Sequence, residues 1–587
     1  MNATEKYDPI TLSILWARLL AIVDEAGTTL QRTSFSTVTR ESNDFAVVLM
    51  DAQGRSIAQS STSVPSFLGV LPMLTKALLR DYFPLDSWQD GDVVMTNDPW
   101  LCAGHKPDIG LVSPIFRTPS PSKEEREDKT TPSPPKGGRG EKDKKTPSPF
   151  EGEGRGEVIG FIGTIAHSPD MGGVLWGAGA RDLYEEGLMI PPTKLYEAGK
   201  PNQTLFNIIE ANVRASRQTL GDIRAQVASN EQGIRSLTKM MDENNMADLE
   251  TLAEQVIEAS EKAMREAISK APNGTYHYEY DADGDGLNEP VHIKCAVTIK
   301  NDEIEVDYEG TSGAHSLAIN AVKNYVFAYT AYPIKCAFSP EVPNNEGAFR
   351  PITVNAPVGS LLNAQKPVPL GGRNITGNIL HAPVFGALAQ AVPLQVQADC
   401  GSACWCLVLN GQKDVAIKTS QGVEKRKTEF VEYFFLNGGY AARPHLDGVN
   451  VLSFPTNVAN VPIEVLERDA PIVVTEKSLR PNTGGAGKYR GGLGQTFAFK
   501  MVGKESINFS ILTEKTKTVP HGICGGENGG GGSFEIEPHR FLPPKGLTKL
   551  HFGEEVRLHL PGGGGYGPKA ERDAVAIARD IELGYIS

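Results

Sequence analysis

The sequence predicts an α+β protein of several domains, with mixed and antiparallel sheets, a central helical segment and a glycine-rich, β-dominated C-terminal region. Three observations predict it. A helical stripe runs through residues 207–270, where Leu249, Leu252, Val256, Ala259, Ala263 and Ala267 recur every three or four positions. Strand alternation follows in Val291, Ile293, Cys295, Val297 and Ile299, with the turn KNDE and then Ile304 and Val306. Beyond residue 430, short apolar runs alternate with GGAGKYRGGLG, ICGGENGGGG and PGGGGYGP, which read as turn-dense β structure.

The elements follow in order. Asp8 suits a helix cap, Pro9 a first turn, and Leu12, Leu15, Leu19 and Ile22 a buried face. After Ser36 come short strands, AVVLMD and SIAQ, around the turn AQGR. The helix LPMLTKALLRDYF and runs such as DVVMTND then flank an enclosed site. Between Thr118 and Glu157 the composition turns to Pro, Ser, Gly, Lys and Glu, with TPSPSKEERE, TPSPPKGGRGE and TPSPFEGEGRGE repeating one another. Such a stretch cannot bury enough apolar surface to offset its ordering entropy, so a disordered insertion over 118–157 is expected. VIGFIGTIAH resumes as a buried strand. The expected units are 1–206, an α/β region carrying a metal site; 207–270, helical; 271–430, central α+β; and 431–587, glycine-rich β.

Composition narrows the function. A net charge of −13 over 587 residues leaves no basic surface for nucleic acid. MNATEKYDP has no basic segment leading into an apolar one, so no secretory signal is read. The uncharged stretch Asn374–Ala398 carries Asn378, His381, Pro383 and Pro393, which fits a buried helix and not a membrane span. Seven cysteines, three of them in Cys400, Cys404 and Cys406, read as inert core thiols in a reducing cytoplasm.

The strongest chemical signal is a pair of His-x-x-Asp motifs. Gly104, His105, Lys106, Pro107 and Asp108 form a turn, because Pro107 opposes a helix, and both side chains can point to one side. His167 ends the strand VIGFIGTIAH, with Asp170 following. With the insertion set aside, Asp108 and His167 are about 22 residues apart, the reach of one strand pair. Two imidazoles with carboxylates suit Zn²⁺ or Mn²⁺, ahead of Fe²⁺, and suit Ca²⁺ poorly. Asp170 is read as the catalytic-site carboxylate that orients His167, and Arg443 and Asp447 as candidate substrate contacts. GGAGKYRGG is not a phosphate loop, since Tyr489 follows Lys488, and DADGDGLNE lacks the closing Glu of a calcium loop.

Nine segments in order resemble the hydantoinase B/oxoprolinase family: ESNDFAVVLMD, NDPWLCAGHKPDIGLVSP, AHSPDMGG, YEEGLMIPP, NVRASRQTLGDIRAQ, NNEGAFRPITVNAPVGSLLN, GGYAARPHLDG, TGGAGKYRGGLG and PGGGGYGPKAERD. The resemblance covers everything but the insertion. It implies a metal at His105, Asp108 and His167, joined in some relatives by the position of Asp44. It also implies a hetero-oligomer in which ATP belongs to a partner of the hydantoinase A type. That partner phosphorylates the amide oxygen, and this chain opens the activated cyclic amide. One departure is Phe67 in SFLG, where relatives often have His, which points to different substrate contacts there. The alternatives are a subunit of an ATP-dependent ketone carboxylase of the acetone or acetophenone type, and a noncatalytic scaffold.

Overall fold

The computed structural model describes residues 6–117, 156–288, 290–402, 404–419, 422–452 and 454–587. The segment read as a disordered insertion lies almost wholly outside these residues. Helix Pro9–Thr33 opens the chain, and Asp8 Oδ1 accepts the N–H groups of Ile10 and Thr11 at 3.0 and 3.2 Å, satisfying two donors that the first turn leaves open. Its Leu15, Leu19, Ile22 and Val23 are buried in a core shared with helices Ser216–Glu243 and Glu250–Ile268.

That core covers one face of a seven-stranded antiparallel sheet. Its strands are β1 (Phe45–Asp51), β2 (Ser56–Gln59), β3 (Val93–Thr96), β4 (Asp108–Arg117), β5 (Glu157–His167), β6 (Thr193–Glu197) and β7 (Lys200–Pro201), in the order β2-β1-β5-β4-β3-β6-β7. Every residue of β1 is buried, as a strand covered on both faces requires. β4 and β5 form a hairpin whose connection is the repetitive segment. The register pairs Arg117 with Glu157 at that end and Asp108 with His167 at the other. At roughly 3.4 Å per residue, a strand of this length puts the connection about 30 Å from the Asp108–His167 pair. Any number of residues inserted there leaves the opposite end undisturbed.

A second sheet is mixed: Gly274–Ala282, Val291–Lys300 and Glu303–Asp307 run antiparallel, and Ile352–Asn355 is parallel to the last. Together with Arg373 just before it, the uncharged stretch forms two short helices, Arg373–Ile379 and His381–Leu388, with every residue of both buried. No helix among the described residues is long and apolar enough to cross a membrane. Two four-stranded sheets then pack as a sandwich around Trp405, Phe434, Phe497 and Phe499. The long hairpin of Trp405–Thr419 and Gly422–Leu436 spans residue 430 and supplies two strands of one of those sheets.

The glycine-rich sequences, read above as turns, do something else. Successive N–H groups of the segment 562–565 reach three neighbouring segments, the fourth returning to the first: Gly562 donates to Gly530 O at 3.0 Å, Gly563 to Gly492 O at 2.8 Å, Gly564 to Asp399 O at 2.8 Å and Gly565 to Glu527 O at 3.0 Å. A flat ladder cannot distribute its bonds this way, whereas a polyproline-type extended chain, with three residues per turn, can. Backbones surround backbones, and a Cβ on Gly563 would overlap Tyr440 O. Glycine is required here by close approach.

Gly563→Ala is therefore expected to cost at least about 3 kcal/mol of unfolding free energy or to prevent folding. Gly313→Ala, where a Cβ meets nothing within 4 Å, serves as the control and leaves the urea midpoint nearly unchanged. Equal midpoints for the two variants would show that the bundle tolerates side chains.

Candidate metal centre

The strand register builds the site. Asp108 begins β4, His167 ends β5, and Asp44 directly precedes β1, which pairs with β5 from Phe45 opposite Ala166. The His167 N–H donates to Asp44 O at 3.1 Å, so three predicted residues meet at neighbouring strand ends. His105 arrives from the turn. Gly104 there has φ +87°, and a Cβ on it would meet Arg373 Cδ at 3.0 Å. Glycine fits both the left-handed turn and the approach of that arginine.

One carboxylate oxygen organises the cluster. Asp108 Oδ1 lies 2.9 Å from His105 Nε2 and 3.0 Å from His167 Nδ1. The two imidazole centroids are 5.2 Å apart, well inside the separation one ion can bridge. A ligand atom from each of His105, Asp108 and His167 lies within 4.8 Å of the other two. Asp44 stands at the rim, 4.0 Å from His167 Nδ1 and 15% exposed. It lines the same cavity but falls outside the tight triad.

Protonation follows from the partners. His105 Nδ1 is 2.9 Å from Gly371 O, an acceptor only, so Nδ1 carries the proton. His105 Nε2 makes no hydrogen bond, although it is buried against Asp108. Burial, together with the Arg373 charge and against the pull of Asp108, lowers the His105 pKa to about 4, so the ring is neutral near pH 7. A lone pair thus faces a carboxylate oxygen, an arrangement that repels unless a cation sits between them. His167 pairs its Nδ1 with Asp108 and leaves a buried Nε2 without a partner. These nitrogens with Asp108 fit a divalent ion of borderline hardness. Burial raises Asp108, but the Arg373 guanidinium and the bond from His167 outweigh it and hold the carboxyl well below its usual range. Asp44 goes the other way: burial, aided by Asp108 and opposed by His167 and Arg373, pushes it up to about 6.

The sequence reading missed Arg373. Its guanidinium binds Asp108 Oδ2, donates from Nε to Ala103 O at 2.6 Å and lies 3.9 Å above the Tyr325 ring. Gly371, two residues earlier, takes a second bond on its carbonyl from Trp176 Nε1 at 2.6 Å. Its own N–H donates to Glu186 Oε1 at 2.6 Å, and burial pushes Glu186 up to about 7. Trp176 packs 4.9 Å from His167 and 5.4 Å from Tyr433, closing one side against water. The cavity over the imidazoles has a water-accessible volume of about 30 Å³, room for one or two waters.

Asp170 does not orient His167. Ser168 and Pro169 turn the chain, and the Asp170 carboxylate binds Arg214, whose Nη1 lies 2.6 Å from Oδ1; Asp108 holds the His167 ring in its place. Nor do Arg443 and Asp447 line the cavity. Arg443 lies over the Tyr440 ring, and Asp447 is bound by Arg572 and by the Arg490 N–H. Phe67 is buried in the core, with Ser66 beside it on the cavity wall.

A family model described as hydantoinase B/oxoprolinase matches residues 8–122 and 131–569. The chain belongs to this family. Among relatives in the hydantoinase B/oxoprolinase family, an uncharacterised protein of Methanocaldococcus jannaschii is 30% identical, over 98% of this chain and 93% of its own. A proposed B-type subunit of a D-/L-hydantoinase from Pseudomonas sp. is 29% identical, over 99% and 94%. In three dimensions the ATP-dependent caprolactamase of Pseudomonas jessenii superposes with a TM-score of 0.82 at 24% identity, covering 99% of this chain and 95% of that one. Acetone carboxylase in its nucleotide-free form superposes at 0.80 and 18% identity, covering 99% and 78%. Both share the fold.

Arg373 places a fixed positive charge beside the triad and takes one oxygen of Asp108. Arg373→Met is therefore expected to tighten Zn²⁺ binding by about tenfold or more, through lost Coulomb repulsion. It should also lower the stability of the metal-free protein by about 3 kcal/mol, because Asp108 is left buried and unpaired. Competition titration with a chelator and urea unfolding check the two halves. Weaker zinc binding in the variant would mean that the arginine builds the site and does not oppose it.

Proposed function

We propose that this chain is the ring-opening subunit of an ATP-coupled cyclic-amide hydrolase, acting on an amide that a separate ATP-binding protein has phosphorylated on oxygen. The observation that carries the reading is the neutral His105 Nε2 set against Asp108 Oδ1 at 2.9 Å, beside the unpartnered His167 Nε2. That is a donor set waiting for a cation. The related hydantoinase chain and the caprolactamase of like fold bring the substrate class.

His105, Asp108 and His167 would hold the ion, with Asp44 at its edge. A divalent ion bound there supplies Lewis acidity, lowering the pKa of water and polarising a carbonyl. The chain does the rest. Gly371 O fixes the His105 tautomer, so that Nε2 always presents its lone pair. Asp44, with a pKa raised to about 6, can take a proton as water adds to the ring carbon. It lies close enough to neutrality to give it up again. Arg373 provides a fixed positive charge for the phosphoryl oxygens of an activated ring. Trp176 and Tyr433 keep bulk water from the reacting carbon.

With Asp44 and Asp108 ionised and Arg373 charged, the residues carry one net negative charge, and a divalent ion turns this into one net positive charge. The pocket then favours an anionic, phosphorylated ligand over a neutral one.

The test is the purified pair of this chain and its ATP-binding partner. Hydantoin, 5-oxoproline or caprolactam is expected to release phosphate together with the ring-opened acid. His105→Ala and His167→Ala should each lose bound metal and ring opening together. Phosphate release with acetone and bicarbonate but with none of the rings would replace the hydrolase by a carboxylase. Full ring opening by metal-free His105→Ala would remove the metal from the reaction.

A further inference from the structure

One wall of the cavity over the imidazoles is formed by the short helix Arg373–Ile379. Asn374 and Asn378, one turn apart on it, line the same cavity as His105, His167 and Asp44. Both are buried, at 8% and 5% exposure. Each carboxamide is half satisfied. Asn374 Nδ2 donates to Cys406 Sγ at 3.2 Å, and Asn378 Nδ2 donates to Cys404 Sγ at 3.6 Å. Burial keeps the Cys406 thiol protonated. The two sulfurs, 3.6 Å apart, form a row of weak acceptors that orients both amides the same way. What remains is the pair of carboxamide oxygens, and neither Asn374 Oδ1 nor Asn378 Oδ1 has a hydrogen-bond partner among the protein groups. Two neighbouring buried acceptors left in that condition are rare in a protein interior.

Size and donor chemistry select what they hold. An unpaired carbonyl oxygen calls for an N–H or O–H donor. The Arg373 guanidinium, on the same helix, is committed to Asp108, Ala103 O and the Tyr325 hydroxyl. An amide phosphorylated on oxygen has a C=N bond at the reacting carbon and no N–H there, so the pair has nothing to read on the activated ring. Water fits on both counts: it brings two O–H donors on one oxygen, and a volume of about 30 Å³ suits one or two such molecules. We propose that Asn374 and Asn378 are positioning residues, whose carboxamide oxygens hold by its hydrogens the water that adds to the activated ring. Held in this way, the water turns its lone pairs to the triad and to the electrophile and not to the helix. As it adds, the new C–O bond forms, the C=N π pair moves onto nitrogen, and the proton released passes to Asp44, which lines the same cavity. The inference rests on the hydrolase reading for the identity of the electrophile, and it adds the groups that aim the nucleophile.

The experiment reads a water-sized probe, so that it does not depend on turnover. Fluoride is close to water in size and has no hydrogen to donate, so carbonyl oxygens that face it oppose its binding. The chain loaded with Co²⁺ is titrated with fluoride and followed by its visible absorption. With Asn374→Leu and Asn378→Leu combined, fluoride is expected to bind at least about tenfold more tightly than in the wild type, and each single variant should shift it in the same direction, with cobalt content unchanged. General damage to the site would weaken an anion and not tighten it, which separates positioning from packing. Should the leucine variants not fold, Asn374→Ser and Asn378→Ser, whose hydroxyls can turn a proton toward the anion, are measured with the same expectation. Fluoride bound no more tightly by the variants overturns the proposal, and weaker binding would mean that the amides turn their N–H groups to the cavity. Ring opening by the complete ATP-dependent pair is measured alongside, where the variants should lower kcat at least about tenfold with little change in KM for the ring. Full kcat in the variants sinks this inference alone. Tightened fluoride binding in a pair that opens no ring sinks the hydrolase reading instead.

Discussion

A single buried carboxylate sets the terms for everything around it. Asp108 is fully shielded from solvent, and an isolated carboxylate there would cost several kcal/mol even after relaxation. Two groups share the charge: His167 and Arg373. The first stands at the end of β5, while the second comes from a helix more than 250 residues further along the chain. The attraction that relieves Asp108 therefore also fastens the central helices to the strand ends. Asn324 Nδ2 reinforces the junction by reaching Cys102 O, as does Trp100 Nε1, donating to Ala364 O at 3.0 Å.

The same charge balance restrains metal binding. A guanidinium beside the ligands weakens a cation by Coulomb repulsion, yet without it the metal-free fold would carry an unpaired anion. The compromise leaves His105 Nε2 and Asp108 Oδ1 as two electron-rich atoms 2.9 Å apart, held close only by packing. That strain is the preorganisation expected of a metal site whose surroundings fix its geometry in advance. Glu186 and Trp176 supply it from outside, through Gly371, the one residue whose carbonyl fixes the His105 tautomer.

What the sequence disclosed and what it hid divide along a physical line. The His105–Asp108 and His167 motifs were legible because hairpin pairing is local: once the repetitive segment is discounted, β4 and β5 must meet, and their open ends must coincide. Asp170 was misplaced by the same spacing argument, since Ser168 and Pro169 turn the backbone away and Arg214 offers its carboxylate a full charge. Asp44 carried no local signal, and only the family resemblance pointed to it. Arg373 sat one residue before the uncharged stretch, and Asn374 and Asn378 sat inside it, where only membrane spanning was weighed against a buried helix. The usable clue was two asparagines one helical turn apart among apolar residues, polar groups that a buried helix carries at a cost. In the glycine-rich β region, composition could not separate the glycines that turn, such as Gly525 and Gly567, from those that admit a neighbour, such as Gly563.

That last distinction reaches the site. The thiols that orient Asn374 and Asn378 lie at the start of the strand Trp405–Thr419, and the glycine bundle fixes where that strand begins. Gly401 N–H donates to Gly439 O at 2.8 Å, and Asp399 O receives Gly564 N–H at 2.8 Å, so residues 399–401 are tied to the bundle just before that strand. On the other flank, Lys515 binds the Asp399 carboxylate and donates to Cys400 O at 2.6 Å. Hydrogen bonds to sulfur are long and weak, so they select a rotamer only if the sulfur itself cannot move. A backbone packed against backbone, with no side chain to flex between, is the stiffest support a chain can offer. The cost of needing glycine at so many positions is thereby connected, through Cys404 and Cys406, to the direction in which two carboxamides face.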